Sequence, residues 1–122
     1  TTLKVGEPLV HGAWSVELRS AAVTPRGPKG EGPWLSLGLS LSRAGQVVRQ
    51  HQVKLLLVGP AGAREPVLIE AVARKLGDDS RGSLWRLRFR LPAAKAGRYL
   101  LRFVPADERP RQLAVNATVS PS

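Results

Sequence analysis

The sequence predicts an all-β fold, a single antiparallel β-sandwich of about seven or eight strands. Apolar side chains recur with a period of two in several segments, which is the spacing of strands that bury one face. Turn signals rich in Gly, Pro and Asp separate these segments, mostly at intervals of about 8–12 residues. Neither a strand–helix–strand alternation nor an internal repeat is present, so a parallel α/β sheet and a solenoid are excluded.

The first part of the chain contains two predicted strands and the loop between them. The first strand places Trp14, Val16 and Leu18 on one face. The second, over residues 35–42, alternates leucine with serine or glycine, as expected for a half-buried strand with a small polar outer face. Residues 24–33 between them are dense in proline and glycine, which predicts an exposed loop.

The middle of the chain is less regular. Residues 43–46 predict a hairpin turn, and residues 47–58 predict one long extended stretch that ends at the Gly-Pro-Ala-Gly break of residues 59–62. Residues 66–76 leave two interpretations open: their β-branched side chains favour a strand, and their apolar spacing also fits a short helix. Residues 77–82 predict a second loop.

The last third of the chain carries the strongest strand signal. Apolar residues alternate with arginine over residues 85–91, and a second alternating segment covers residues 98–104. A final strand is predicted over residues 113–119, followed by a short flexible C-terminal tail. The inward faces of these strands are predicted to carry Trp85, Leu87, Phe89, Leu91, Tyr99, Leu101, Phe103, Leu113, Val115, Ala117 and Val119.

Two adjacent segments carry a family resemblance. Residues 84–92 end a strand in Leu-Pro, and residues 96–103 open the next strand with a Gly-x-Tyr turn. This pair resembles a recurring pair in the immunoglobulin-like sandwiches of many extracytoplasmic proteins. The resemblance implies an immunoglobulin-like fold in which Tyr99 packs beneath the corner. The chain departs from antibody domains because it lacks their cysteine pair and central tryptophan.

Length and composition limit the possible organisation. The 122 residues fit one domain, residues 1–122, and 43% of them are hydrophobic, which is enough for a core. The absence of cysteine excludes disulfides and thiolate metal sites. No apolar run is long enough to span a membrane. A chain that starts with threonine is either a processed mature protein or a trimmed piece of one. Processing after a signal peptide would explain the start, and we expect an extracytoplasmic location: periplasmic, cell-surface or secreted.

The charge balance is strongly basic. Nineteen Lys and Arg against nine Asp and Glu give a formal net charge of +10. Such a charge favours nucleic acid, phospholipid head groups, acidic polysaccharide or an acidic protein as partners. The alternative is compositional, because a GC-rich bacterial genome also favours Arg over Lys, and the sequence leaves both interpretations open.

Catalytic and metal-binding constellations are not evident. The two histidines, His11 and His51, have no acidic neighbour at ligand spacing, so neither a metal nor another cofactor is expected. No serine lies in a Gly-x-Ser-x-Gly elbow, and the acidic pairs at residues 78–79 and 107–108 lie in turn-like contexts. We therefore expect a protein that is not an enzyme. Asn116 begins a glycosylation sequon that matters only in a eukaryotic secretory protein.

The candidate binding site is a row of arginines. Arg86, Arg88 and Arg90 must share an outer strand face if their apolar neighbours fill the core, with side chains about 7 Å apart along the strand. Arg98 and Arg102 would extend this face if the next strand were the hairpin neighbour. A solvated face that discourages edge-to-edge aggregation is the alternative. Because nearly all aromatic residues lie on the predicted core face, a single-stranded nucleic-acid platform is disfavoured.

These observations lead to two functional hypotheses. The first is a non-catalytic extracytoplasmic module that binds a protein or a cell-envelope component. The second is a binder of an anionic polymer or an anionic membrane surface through the cationic strand face. The identity of the partner and the oligomeric state stay open.

Overall fold

The computed structural model describes residues 1–26, 30–59, 62–66, 68–73 and 83–120. These residues form ten strands and one 3-10 turn, at Gln50–Gln52, so the predicted all-β class is confirmed. The strands are β1 (Leu9–His11), β2 (Trp14–Thr24), β3 (Trp34–Arg43), β4 (Gln46–Val47), β5 (Val53–Gly59), β6 (Gly62–Arg64), β7 (Leu68–Ala73), β8 (Ser83–Arg90), β9 (Gly97–Pro105) and β10 (Arg111–Val119).

The strands form one continuous curled sheet with the order β6-β5-β9-β10-β2-β3-β8-β7, and the short strands β1 and β4 lie off this path, paired with β2 and β3 respectively. The expected purely antiparallel pairing is wrong at one junction, because β10 and β2 run parallel through Thr118–Ala22 and Val119–Val23. The first residues of β2 pair with β1, and its last residues pair with the end of β10.

The concave side of the sheet encloses one contiguous apolar core. The largest fully buried side chains are Trp14, Trp85, Phe89 and Phe103, surrounded by Leu35, Leu39, Leu41, Leu101, Leu113, Val16, Val23 and Val115. Burying each large apolar side chain contributes roughly 1.5–3 kcal/mol, so this cluster is the main source of stability. The period-two alternation predicted most of it correctly.

A β-bulge in β2 shapes the outer surface of the sheet. Leu18 pairs with Leu39 and Ser20 pairs with Gly38, so Arg19 is an extra residue between two consecutive pairs. The bulge shifts the alternation by one residue. Before it, Leu18 is buried, and after it, Val23 is buried while Ser20 is exposed.

The connecting segments correct several expectations. Residues 47–58 are not one extended stretch, because β4 ends at Val47 and the 3-10 turn precedes β5. The loop predicted at residues 24–33 begins at residue 25 in the structure, because Thr24 still belongs to β2. Residues 27–29 of this loop lie outside the described part of the chain. The hairpin turn is confirmed, with positive φ at Ala44 (50°) and Gly45 (76°). Where described, 66–76 forms strand β7, whereas the loop at 77–82 and the tail at 121–122 are not described.

The segment after β8 carries the chain across the core. β8 pairs with β3 and β7, whereas β9 pairs with β5 and β10. The condition under which Arg98 and Arg102 would extend the β8 face, a hairpin of β8 with β9, is therefore not met. The turn before β9 is fixed by Tyr99, whose hydroxyl donates a hydrogen bond to the carbonyl oxygen of Lys95 at 2.5 Å. Burial raises the pKa of this phenol, which keeps the donor protonated.

Candidate functional site

The arginines of β8 lie on the outer face of the sheet. Trp85, Leu87 and Phe89 are buried, whereas the intervening arginines are exposed or half-buried. Across the sheet, Arg86 lies opposite Gly38, Arg88 opposite Ser36, and Arg90 opposite Trp34. The structure confirms the predicted alternation of buried and outward-facing residues in β8. The outward-facing arginines lie beside the outward-facing residues of β3, with which β8 is paired.

A groove of about 320 Å³ opens on this outer face. We call it the arginine groove. It crosses the bulge of β2, the middle of β3 and the adjoining part of β8. Its lining residues are Arg19, Ser20, Ser36, Leu37, Gly38, Leu84, Arg86, Leu87 and Arg88.

Gly38 keeps the floor of the groove open. A Cβ at this position would lie 2.7 Å from Ser20 Oγ and 3.7 Å from the Cβ of Arg19. The bulge brings Ser20 directly opposite Gly38, so a side chain at either position competes for the same space. Glycine at position 38 thus leaves both serine and arginine side chains facing an open surface.

An acidic neighbour reduces the positive charge of the groove at Arg19. Arg19 Nη1 lies 3.2 Å from Glu17 Oε2, which holds Arg19 in an ion pair at the surface. Arg86 and Arg88 form no ion pair with any side chain that the structure describes. Arg86 and Arg88 are consequently the cations best placed to receive an external anion.

The chemistry of the lining is that of an oxyanion site. Guanidinium groups donate several hydrogen bonds in a planar fork that matches carboxylate, phosphate and sulfate oxygens. The hydroxyls of Ser20 and Ser36 add two further donors. Arginine, serine, glycine and leucine are the residue types of this lining, and none of them provides a general base near neutral pH.

The five arginines predicted as one site do not form one surface. Arg86 and Arg88 line the arginine groove, and the Arg90 guanidinium lies over the Trp34 ring, 5.9 Å from its centroid. Arg90 and Arg98 line a different pocket. Arg102 lies opposite Leu56 and Gln112, in the half of the sheet that β8 does not join. This separation follows from the crossing of the chain between β8 and β9.

Of the residues that line the groove, the sequence predicted only Arg86 and Arg88 as part of a site. Arg19 belongs to the site because the bulge inserts it between two pairs, and Gly38 belongs because it lies on the floor. A signal for the bulge does exist in the sequence. Apolar residues lie at even positions up to Leu18 and at odd positions from Ala21 onward, which is the change of parity that a bulge produces.

His11 and Asp107 have structural contacts. His11 Nε2 donates to the carbonyl oxygen of Arg109 at 2.9 Å, and its ring meets Phe103 edge-on at 6.2 Å. His51 lies exposed in the 3-10 turn. Asp107 accepts hydrogen bonds from side chains of β2 and β3. No group of three potential metal ligands occurs within the described ranges, which omit residues 78–79.

Asn116 is exposed on β10, opposite Arg98. In the portion of the chain covered by the structure, no helix has the length and apolar character needed to cross a bilayer. Comparison of the chain with protein-family models, with characterised proteins and with solved structures finds no significant match.

Proposed function

We propose that this chain is a non-catalytic binding module whose arginine groove binds an anionic polymer, such as an acidic polysaccharide of the cell envelope. The observation that carries the proposal is the convergence of Arg19, Arg86 and Arg88 around a glycine floor with two serine hydroxyls. A guanidinium cluster with open space in front of it is suited to sulfate, carboxylate or phosphate groups.

A polymer fits this surface better than a single small anion does. Arg86 and Arg88 are successive residues on one strand face, so their side chains lie about 7 Å apart and can contact charges that repeat along a chain. The groove lies on the outer face of the sheet and is lined by residues of β2, β3 and β8, so a ligand bound there would contact more than one strand. The net charge of +10 adds a general attraction for polyanions.

An immunoglobulin-like sandwich and an extracytoplasmic location form part of the same proposal. Two observations support the fold assignment: the strand orders β2-β3-β8-β7 and β6-β5-β9-β10 in the two halves of the sheet, and the Tyr99 hydrogen bond to Lys95. A tyrosine at the start of a strand that bonds to the backbone a few residues upstream is typical of such domains. The location rests on the resemblance to extracytoplasmic domains of this type.

Binding to heparin, to an acidic polysaccharide without sulfate and to double-stranded DNA, measured across a salt series, tests the function. Affinity that falls with the logarithm of the salt concentration is expected from counterion release. The variant Arg86→Gln/Arg88→Gln should lose at least about tenfold in affinity, because each hydrogen bond to a charged group contributes roughly 1.5 kcal/mol or more.

The double variant Lys54→Gln/Arg102→Gln is the matched control. It removes the same charge from exposed strand positions outside the groove. It should bind within about twofold of the unmodified protein if the groove is the site, because distant surface charges are screened within roughly 10 Å at ordinary salt. Equal loss in both variants would show diffuse attraction, and tighter binding to an acidic protein than to any polymer would favour a protein partner.

A further inference from the structure

A second pocket is lined by residues of β5, β6 and β9 and by the end of β8, and it shares no residue with the arginine groove. Its volume is about 580 Å³, against about 320 Å³ for the groove. It opens where the ends of β5 and β8 approach the start of β9. We call it the Tyr99 pocket, and its lining residues are Leu57, Val58, Gly59, Arg64, Arg90, Leu91, Pro92, Arg98, Tyr99 and Leu100.

The Tyr99 pocket combines an apolar wall with a cationic rim. Leu57 and Leu91 are buried, and Val58, Tyr99 and Leu100 are half-buried. The rim consists of Arg64 from β6, Arg90 from the end of β8 and Arg98 from the start of β9, all exposed. None of these three guanidiniums forms an ion pair with any carboxylate in the described parts of the chain.

Local contacts fix the walls of this pocket. The Arg90 guanidinium lies over the Trp34 ring at 5.9 Å, a cation–π distance. The backbone N–H of Leu91 donates to the carbonyl oxygen of Pro33 at 2.9 Å. The hydrogen bond of Tyr99 to Lys95 holds the phenol against the turn. The apolar wall and one rim residue, Arg90, are thus held in place before any ligand arrives, which lowers the entropic cost of binding.

We infer that the Tyr99 pocket binds an anionic amphiphile with a single acyl chain, namely a fatty carboxylate. The acyl chain lies against the leucine and valine side chains, and the carboxylate lies among the three arginines. Small-molecule sites of roughly 300–1,000 Å³ have this composition, mostly apolar with a few polar groups that fix the orientation. The charge of the rim selects a negative head group, and the apolar wall distinguishes this ligand from the polymer proposed for the groove.

Calorimetric titration with sodium decanoate, below its micelle concentration, tests the inference. Affinity should rise about fourfold for each methylene from hexanoate to decanoate, because each buried methylene adds a constant increment of hydrophobic free energy. Decanol and decyltrimethylammonium carry the same chain with a neutral or positive head group. Both should bind at least tenfold more weakly than decanoate, since hydrogen bonds from arginine to a carboxylate are lost.

Substitutions locate the site. Arg98→Gln and Leu100→Ser should each weaken decanoate binding at least fivefold, and Arg102→Gln, a charge-matched change on the same strand outside the pocket, should leave it unchanged. Arg86→Gln/Arg88→Gln should also bind decanoate normally, so failure of the groove proposal and failure of this one are distinguishable. Near-UV circular dichroism confirms that each variant is folded.

Three results would overturn the inference. The first is the absence of decanoate binding at millimolar concentration. The second is unchanged binding in folded Arg98→Gln and Leu100→Ser variants. The third is tighter binding of a peptide with an apolar C-terminal residue than of decanoate, which would assign the pocket to a protein carboxylate.

Discussion

The indole Nε1 of Trp14 donates a hydrogen bond to the carboxylate of Asp107 at 2.8 Å, across 93 positions of sequence. The same carboxylate accepts a hydrogen bond from Arg43 and forms an ion pair with it. Trp14 begins β2, Arg43 ends β3, and Asp107 lies in the turn between β9 and β10. One acidic side chain therefore ties the β9–β10 turn to the paired ends of β2 and β3 and satisfies the polar atom of an almost completely buried tryptophan.

Replacing this carboxylate should destabilise the protein in a graded way. Asp107→Ala leaves the buried Trp14 N–H and the Arg43 guanidinium without their acceptor, and Asp107→Asn keeps an amide oxygen for Trp14. We expect the melting temperature to fall most in the alanine variant and less in the asparagine variant, because an unsatisfied buried donor is costly. Thermal unfolding followed by tryptophan fluorescence measures both. Equal melting temperatures in all three proteins would show that the contact has no energetic weight.

The same carboxylate should contribute an acid-dependent part of the stability. Hydrogen bonds from Arg43 and then from Trp14 lower the pKa of Asp107 below its ordinary value of 3.8. A lowered pKa in the folded state stabilises the protein above the unfolded value, and this stabilisation is lost as the pH falls through the folded value. The difference in melting temperature between the unmodified protein and Asp107→Asn should therefore be present at pH 6 and shrink at pH 3. A constant difference would contradict the assignment.

Tyr99→Phe should cost about 1 kcal/mol of unfolding free energy at pH 7, because it removes one hydrogen bond and keeps the ring. Burial raises the pKa of this phenol, so the folded state holds the proton more tightly than the unfolded chain does. Its contribution is present below the ordinary value of 10.0 and is lost as the pH rises through the folded value. Urea unfolding at pH 7 and pH 11 measures this. Between pH 7 and pH 11 the unfolding free energy of Tyr99→Phe should fall less than that of the unmodified protein. An equal fall in both proteins would contradict this role of Tyr99.

The period-two alternation of apolar residues predicts most of the strands and most of the core. The leucines of β3 and the aromatic residues of β8 were assigned to the core because a strand buries every second residue. What the alternation could not supply was the pairing of strands. The parallel pairing at Ala22 and the change of partners between β8 and β9 depend on which strand edges are available for pairing. That availability is a property of the whole sheet, not of one segment.

The candidate site was predictable to the extent that it lies on one strand. Arg86 and Arg88 are two residues apart on one strand, so they share a face, and the structure places both on the outer face of the sheet. Arg19 and Gly38 were missed because a bulge of one residue brings them together, and its only trace in sequence is a change of parity between Leu18 and Ala21. Arg98 could not be placed without knowing the partner of β9.

Filling the floor of the arginine groove should separate binding from stability. In Gly38→Ala the new Cβ lies 2.7 Å from Ser20 Oγ, so the exposed hydroxyl must rotate away. Gly38 is buried, but the other contacts of the new Cβ lie at an ordinary 3.7 Å, so the free energy of unfolding should change by less than about 1 kcal/mol, the size of a glycine-to-alanine exchange inside a strand. Heparin affinity should fall several-fold because the groove narrows and one donor is displaced. Adding Ser20→Ala removes the close contact and should not restore binding. Recovery of full affinity in the double variant would show that the groove floor is not part of the site.

The two phenylalanines of the chain provide a matched pair for the aromatic packing of the core. Phe103 is fully buried and meets Trp14 edge-on, with ring centroids 5.6 Å apart, and His11 at 6.2 Å. Phe89 is buried to the same degree but has no ring partner among the residues that the structure describes.

Leucine at either position removes the same atoms from the core, so a difference in stability reports the ring contacts. Each aromatic pair contributes roughly 0.5–1.5 kcal/mol beyond its buried area. Phe103→Leu should therefore reduce the unfolding free energy by about 1 kcal/mol more than Phe89→Leu does, measured by urea unfolding at pH 7. Equal losses would mean that the edge-on contacts of Phe103 add nothing to its burial. The excess should shrink in a Trp14→Leu background, since the principal ring contact is then already absent.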